Sequence, residues 1–436
     1  MYEDGLLWQI EEVPAYRNEN MAADPLYEIP RLILVGRDQT WLSIGSDYYS
    51  SIQSLLDYDE DILSLVNQIA QKILSDEQRI RNISEYVQQS ISYTAIEFGA
   101  RGYTPKSPSS TLQDLYGDCK DHAVILSAML KAAGLSSRLV LVNLDQPVLP
   151  DLPSLDQFDH MIVEAKTTDK LYYLDATDKD LPLLKYPPRY LAGNMGLALG
   201  SNPEQVFIPP YPADSRRISS VRVVELDKNG YMRVNEILTA DGYAAAAYRG
   251  DLSNRSSLNR RDRIQEYLNS YGDHLKLKDL VIMNIENNQL PLIIDLTYET
   301  TAIPLNLPGF IPDVPSIFEL QWIPPTWYES RQTDFKVEYP LQFTADITLI
   351  DNSSANTFTH TLEPVSMQTR FGNWELSATP DSGQLAIRFH YNEHAATYSA
   401  EHYEEYETFS STAVRVLTNA GRLSQPSSNG QIITSR

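Results

Sequence analysis

Apolar positions in this chain recur first at helical spacing and later at strand spacing. From about residue 48 to 90 they return every three or four positions, which lines one face of a helix. Ser75 with Gln78 three residues on has the form of a capping box, and Ile80, Ile83 and Val87 follow at helical spacing. Ser107-Pro108 predicts another helix start, because proline in the first turn gives up no helical hydrogen bond; that helix is short and ends by Gly117. A third helix is predicted from about Cys119 to Ala133, with Ala123, Leu126 and Leu130 on its apolar stripe and Gly134 as its stop.

Strand patterns take over after that helix. Arg138 to Val142, His160 to Glu164 and Leu171 to Asp175 read as strands, with a loop rich in Asp and Pro between the first two, and Arg31 to Val35 is a short extended candidate upstream. Helices followed by a run of strands predict an α+β domain. Pro203, Pro209, Pro210 and Pro212 crowd into a linker. Beyond it, alternation dominates Val221 to Leu226, Met232 to Thr239, Leu292 to Tyr298, Phe343 to Ile350 and Leu385 to Phe389. Asp227-Lys228-Asn229-Gly230 reads as a hairpin turn, and one helix, about 256 to 270, interrupts the strands. The C-terminal half is therefore expected to be β-rich and sandwich-like.

Composition narrows the function classes. Lys and Arg total 35 against 58 Asp and Glu, for a net charge of -23, which repels nucleic acid and anionic lipid surfaces. No apolar run approaches the roughly 18 residues of a membrane span. The opening Met1-Tyr2-Glu3-Asp4-Gly5 lacks the basic and apolar regions of a signal peptide. The mature chain is expected to be soluble, and periplasmic or exported if a signal lies upstream of a fragment. No glycine-rich phosphate loop is present, nor a Gly-x-Ser-x-Gly elbow for a serine hydrolase, and no cofactor is expected. His390, Glu393 and His394 have a spacing that zinc uses on a helix, but they fall on a strand pattern. The excess of Tyr (27) over Phe (11) is explained by half-buried strands.

The single cysteine, Cys119, cannot form an internal disulfide or a thiolate cluster, which leaves a buried thiol or a nucleophile. It opens the third predicted helix, where unpaired N–H groups and the helix dipole favour negative charge. Asp118 is placed to cap that helix, and Gly117 is expected to allow the tight approach turn and to leave room for a substrate beside the sulfur. His160 begins one strand and Asp175 ends the next, so antiparallel pairing sets base beside acid. The acid would then fix the imidazole tautomer while the other ring nitrogen faces Cys119. His122 lies one turn along the cysteine's own helix, which leaves no space for a carbonyl between the two groups, so it is read as a hydrogen-bonded structural histidine.

Three blocks then stand together: Gly117-Asp118-Cys119-Lys120-Asp121, Phe158-Asp159-His160-Met161-Ile162-Val163 and Tyr173-Leu174-Asp175-Ala176-Thr177-Asp178. They resemble the motif blocks of the transglutaminase-like superfamily, in bacterial multidomain proteins with an N-terminal β domain of unknown function and a C-terminal β domain. The resemblance implies a papain-like core at residues 46–212 and a β-rich domain at 213–436. Residues 1–45 would be a linker and the remnant of the first domain, with Trp8 to Pro14 as its exit, and an exposed sheet edge would favour self-association. It implies Cys119 as nucleophile, His160 as general base and acid, and Asp175 as orienter, with the Cys119 N–H as one oxyanion donor and Tyr93 as candidate for the second. The implied reaction is thiolate attack on an amide carbonyl through a thioester, on a protein or peptide substrate. Water as acceptor gives a cysteine peptidase or amidase acting on peptide or isopeptide bonds, the preferred reading; an amine acceptor gives transamidation, and a non-catalytic interaction scaffold is the third alternative.

Overall fold

The computed structural model describes residues 8–13, 19–23, 30, 32, 36, 38–95, 102–227, 231–270, 275–300, 331–352 and 361–423. Of the extended candidate Arg31 to Val35 only Leu32 is described, and the turn residues 228–230 lie outside the described set. The described residues form two compact units, one reaching to Tyr211 and one starting at Pro212 that also takes in 19–23.

The first unit begins with three capped helices. The Thr40 side chain accepts from the Ser43 N–H ahead of α1 (Trp41–Ile52), and Asp59 accepts from the Ile62 N–H ahead of α2 (Glu60–Ile69). The Ser75–Gln78 capping box read from the sequence starts α3 (Asp76–Ser90). Each such cap satisfies N–H groups that a helix start otherwise leaves unpaired. β1 (Ser92–Tyr93) follows, then α4 (Pro108–Asp114), which Ser107 caps and Pro108 opens. Leu115 takes a left-handed turn (φ 56°) into β2 (Tyr116–Gly117), which pairs parallel with β1.

The cysteine helix is α5 (Cys119–Ala132), and Gly134 ends it at φ 75°. The residues from Cys119 to Leu126 are all buried. It is therefore a central helix buried on most sides, not the one-sided stripe that periodicity suggests. α2, α3 and α4 pack on it, and so does a five-stranded antiparallel sheet. That sheet comprises β3 (Ser136–Val142), β4 (His160–Lys166), β5 (Leu171–Leu174), β6 (Met195–Ala198) and β7 (Glu204–Phe207), in the order β5-β4-β3-β6-β7. Ile62, Val66, Ile83 and Val87 meet Leu126, Met129, Leu139 and Val163 in one core. Burial of each such side chain contributes about 1.5–3 kcal/mol.

The sheet holds two strands that the alternation does not announce. β6 is four fully buried residues with little β-propensity, and Gly196 lets it approach β3: a Cβ there would lie 2.8 Å from Val140 Cγ1. β7 begins directly after Pro203, inside the proline-rich stretch.

The second unit is β-rich. Its main sheet joins β8 (Arg216–Leu226), β9 (Met232–Gly242), β10 (Leu275–Met283), β11 (Leu292–Thr300), β13 (Leu341–Asp351), β14 (Leu362–Thr369), β15 (Gly372–Asp381) and β16 (Gln384–Glu393). The order is β10-β11-β9-β8-β13-β16-β15-β14, antiparallel except for β13 beside β8. A small pair, β12 (Phe335–Val337) and β17 (Ala396–Tyr398), stands apart from it. One face is buried under α6 (Tyr243–Leu252), α7 (Ser257–Asn269) and α8 (Tyr403–Leu423), so the layer opposite the strands is helical. Only the α7 region carries a legible helix signal: α6 is alanine-rich and buried on most sides. Among the described residues no helix is long and apolar enough to cross a membrane.

Candidate active site

The site is built on the start of α5. The Asp118 Oδ1 accepts from the N–H groups of Lys120 (3.0 Å) and Asp121 (3.2 Å), and Asp121 Oδ2 returns a contact to the Asp118 N–H (3.2 Å). This reciprocal cap engages the second and third residues of the helix and leaves the N–H of Cys119, the first, outside it. Lys120 Nζ lies 3.0 Å from Asp118 Oδ2 and offsets its charge. Asp121 Oδ1 also accepts from the Lys106 N–H (2.7 Å), tying the preceding loop to the helix. Gly117 serves this packing: a Cβ there would lie 2.4 Å from Asp121 Cβ. The space it leaves is thus filled by Asp121 and not left for a substrate, because the side chain that closes the cap packs against it.

His160 is the first residue of β4, and Asp175 follows the last residue of β5. The register Val163↔Leu174 brings them together, with His160 Nε2 2.9 Å from Asp175 Oδ2. Asp175 Oδ1 accepts from the Thr177 N–H (3.0 Å) and Oγ1 (2.6 Å), so both oxygens are committed. Burial works against a charged imidazole here. The negative charge of Asp175, its hydrogen bond, and a further hydrogen bond with Cys119 outweigh it and push the His160 pKa up to about 10. Burial likewise opposes an ionised Asp175, but His160 and Thr177 hold its carboxyl below the usual range. With Nε2 engaged by Asp175, Nδ1 is the ring nitrogen left for Cys119.

Cys119, His160 and Asp175 are each 7 % exposed, and Cys119 and His160 open onto a cavity of about 320 Å³. Tyr48, Tyr103, Leu155, Phe158 and Met161 line it with them. Tyr93 lines it too, half-exposed, with its ring centroid 6.1 Å from that of His122. His122 is buried and does not line the cavity. Its Nδ1 lies 2.8 Å from the Asp118 carbonyl and its Nε2 3.2 Å from that of Ile91, linking α5 to the segment before β1.

Two supports had no sequence signal. Buried Gln88 of α3 donates to the carbonyls of Asp178 and Leu181, and Arg189 grips Asp178 with Nε and Nη2, both at 2.6 Å. Both fix the segment after Asp175. The described residues hold no cluster of His, Cys, Asp and Glu suited to a metal ion. On β16, His390 is exposed whereas Glu393 is buried, so the two side chains leave opposite faces.

Comparison with known proteins agrees with the core. Residues 63–176 match the model of the transglutaminase-like superfamily. A crystal structure described as a "putative protease" from Parabacteroides distasonis shares the fold, with a TM-score of 0.51 at 14% identity, over 87% of this chain and 57% of that one. This chain thus spans little more than half the length of that relative. A "putative cysteine protease" from Cytophaga hutchinsonii aligns over 29% of this chain and 42% of its own, with a TM-score of 0.22 at 17% identity. No curated protein matches the chain. Residues 63–176 of its first unit are thus similar to the core of the transglutaminase-like superfamily, and a large β-rich region follows.

Proposed function

We propose that this chain is a thiol hydrolase, a peptidase or amidase that cleaves peptide or isopeptide bonds with Cys119 as nucleophile, His160 as acid and base, and Asp175 as orienter. The observation that carries this reading is the buried imidazole of His160, paired with the Asp175 carboxylate and lining one open cavity with a cysteine at a helix start. The Cys119 thiolate attacks the carbonyl carbon, a C–S bond forms, and the C=O electron pair moves onto oxygen. The Cys119 N–H, outside the cap, donates to that oxyanion. His160, charged at neutral pH, gives its Nδ1 proton to the nitrogen of the departing amine as the C–N bond breaks. The now neutral imidazole takes a proton from water, the hydroxide adds to the thioester, and the C–S bond breaks to return the thiolate–imidazolium pair. Asp175 stays ionised throughout and keeps Nε2–H pointed at itself.

The test is turnover of a peptide library by the full chain, with Cys119→Ala and His160→Gln as controls. Release of new amino termini by the wild type and none by either variant is expected. Unchanged release by Cys119→Ala rejects this assignment, and amine incorporation in place of release replaces hydrolysis with transamidation.

A further inference from the structure

α1 lies outside the matched residues 63–176, yet it reaches two separate segments of the cavity rim. Near its end, buried Tyr48 donates from its hydroxyl to the Tyr103 carbonyl at 2.8 Å, and both residues line the cavity beside Cys119. At its start, the Trp41 indole N–H donates to the Pro150 carbonyl at 2.6 Å, and its ring meets that of Phe158 edge-on at 5.7 Å. Phe158 and Leu155 line the same cavity from the loop between β3 and β4. The helix itself is seated firmly: Gly45 lies so close to Pro203 that a Cβ would come within 2.5 Å of it. Burial, then the charges of Cys119 and Asp118, hold the Tyr48 phenol above its usual range, so it remains a donor across the working pH.

Resting on the assignment of Cys119 as nucleophile, we propose that Tyr48 and Trp41 are positioning residues through which α1 braces both rim segments, so that the acyl group is held in register with the cysteine sulfur. A rim segment held by one hydrogen bond from a fixed helix samples fewer positions than a free one, and the ordering cost is then not charged to substrate binding. The brace is a feature added to the matched core. It acts on binding and leaves the thiol–imidazole pair untouched.

The experiment compares the full chain with Tyr48→Phe and Trp41→Phe, each of which keeps an aromatic ring and removes one donor. On a peptide that the wild type cleaves, KM is expected to rise about three- to tenfold, the scale of one lost hydrogen bond, with kcat preserved. Alkylation of Cys119 by iodoacetamide, a probe too small to need the rim, is expected to stay at the wild-type rate. Amide hydrogen exchange at residues 102–106 is expected to speed up in Tyr48→Phe. A fall in kcat at constant KM, or no change in either constant, overturns the proposal. If the wild type cleaves no peptide, the hydrolase reading fails by itself, and the exchange data still decide this one: equal exchange in Tyr48→Phe and wild type overturns the brace.

Discussion

Gly117→Ala separates a conformational need for glycine from a packing need. The Gly117 backbone is outside the left-handed region, so alanine is sterically allowed there and would by itself stabilise the chain by about 0.4–1 kcal/mol through the unfolded state. Its methyl group, however, would lie 2.4 Å from Asp121 Cβ and 2.8 Å from Asp121 Oδ2. Asp121 is fully buried and cannot swing into solvent. Displacing it breaks the bonds from the Lys106 and Asp118 N–H groups, each worth about 1.5–3 kcal/mol when one partner is charged, and with them half of the cap. Allowing for partial relaxation, a net loss of about 3 kcal/mol is expected. Equilibrium urea denaturation of the full chain reads it as a lower midpoint with an unchanged slope. The decisive control is the same substitution in an Asp121→Ala background, where the space is open. There Gly117→Ala should cost less than about 1 kcal/mol, a coupling of about 2 kcal/mol or more. A Gly117→Ala variant as stable as wild type, or an equal cost in both backgrounds, refutes the packing argument.

Two further predictions concern the acid and the base. Asp175→Asn can face only one of its partners correctly: with its oxygen toward His160, its NH2 meets the Thr177 N–H, donor against donor. A loss of about 100-fold in kcat/KM is expected, against about tenfold for Thr177→Val, which removes a single donor; equal losses in steady-state peptide kinetics would reject the two-sided role of Asp175. The His160 pKa rises from 6.5 to about 10 on folding, so its contribution to stability is complete below about pH 6.5 and is lost as pH rises through about 10. Denaturation midpoints measured from pH 6 to 10.5 should therefore fall more steeply for wild type than for His160→Gln, and parallel curves would remove the imidazolium from the folded state.

How much of this was legible depends on whether a feature is local in sequence. The Ser75–Gln78 box, the Ser107-Pro108 start and the Gly134 stop are set by neighbours within four residues, and each appears where the chain places it. The antiparallel pairing of β4 with β5 follows from two short runs rich in β-formers separated by a short turn. β6 is not legible because its four buried residues, Met195 to Ala198, have little β-propensity, and α6 because Ala244, Ala245 and Ala246 are buried together and leave no polar face. α8 is hidden for a different reason: its acidic first turn and mixed face do not mark the lid of a sheet until the sheet exists. Tyr48, Gln88 and Arg189 act from 71, 87 and 14 positions away from Cys119 or Asp175, on segments that no strand pairing or helical repeat links to those residues. The role of Asp121 is not legible although it lies two residues from Cys119, because only the fold brings Lys106 to it.

The same contacts explain how a thiolate could be tolerated in this place. Asp118, Asp121 and Asp175 are all buried around Cys119, and three uncompensated carboxylates would oppose a fourth negative charge. None is uncompensated. Asp118 holds two helix N–H groups and the Lys120 ammonium, Asp121 holds two backbone N–H groups, and Asp175 holds Thr177 twice and the imidazole of His160. Asp118 and Asp121 thus serve to orient the helix, and of the three it is Asp175 that acts on the imidazole of His160. Through that group it acts in the favourable sense, since a charged His160 attracts the thiolate that Asp175 alone would repel. Removing His160 while keeping Asp175 should therefore harm Cys119 alkylation more than removing both: His160→Gln is expected to react more slowly with iodoacetamide than His160→Gln combined with Asp175→Asn. The reverse order would mean that Asp175 assists the sulfur by some route other than the imidazole.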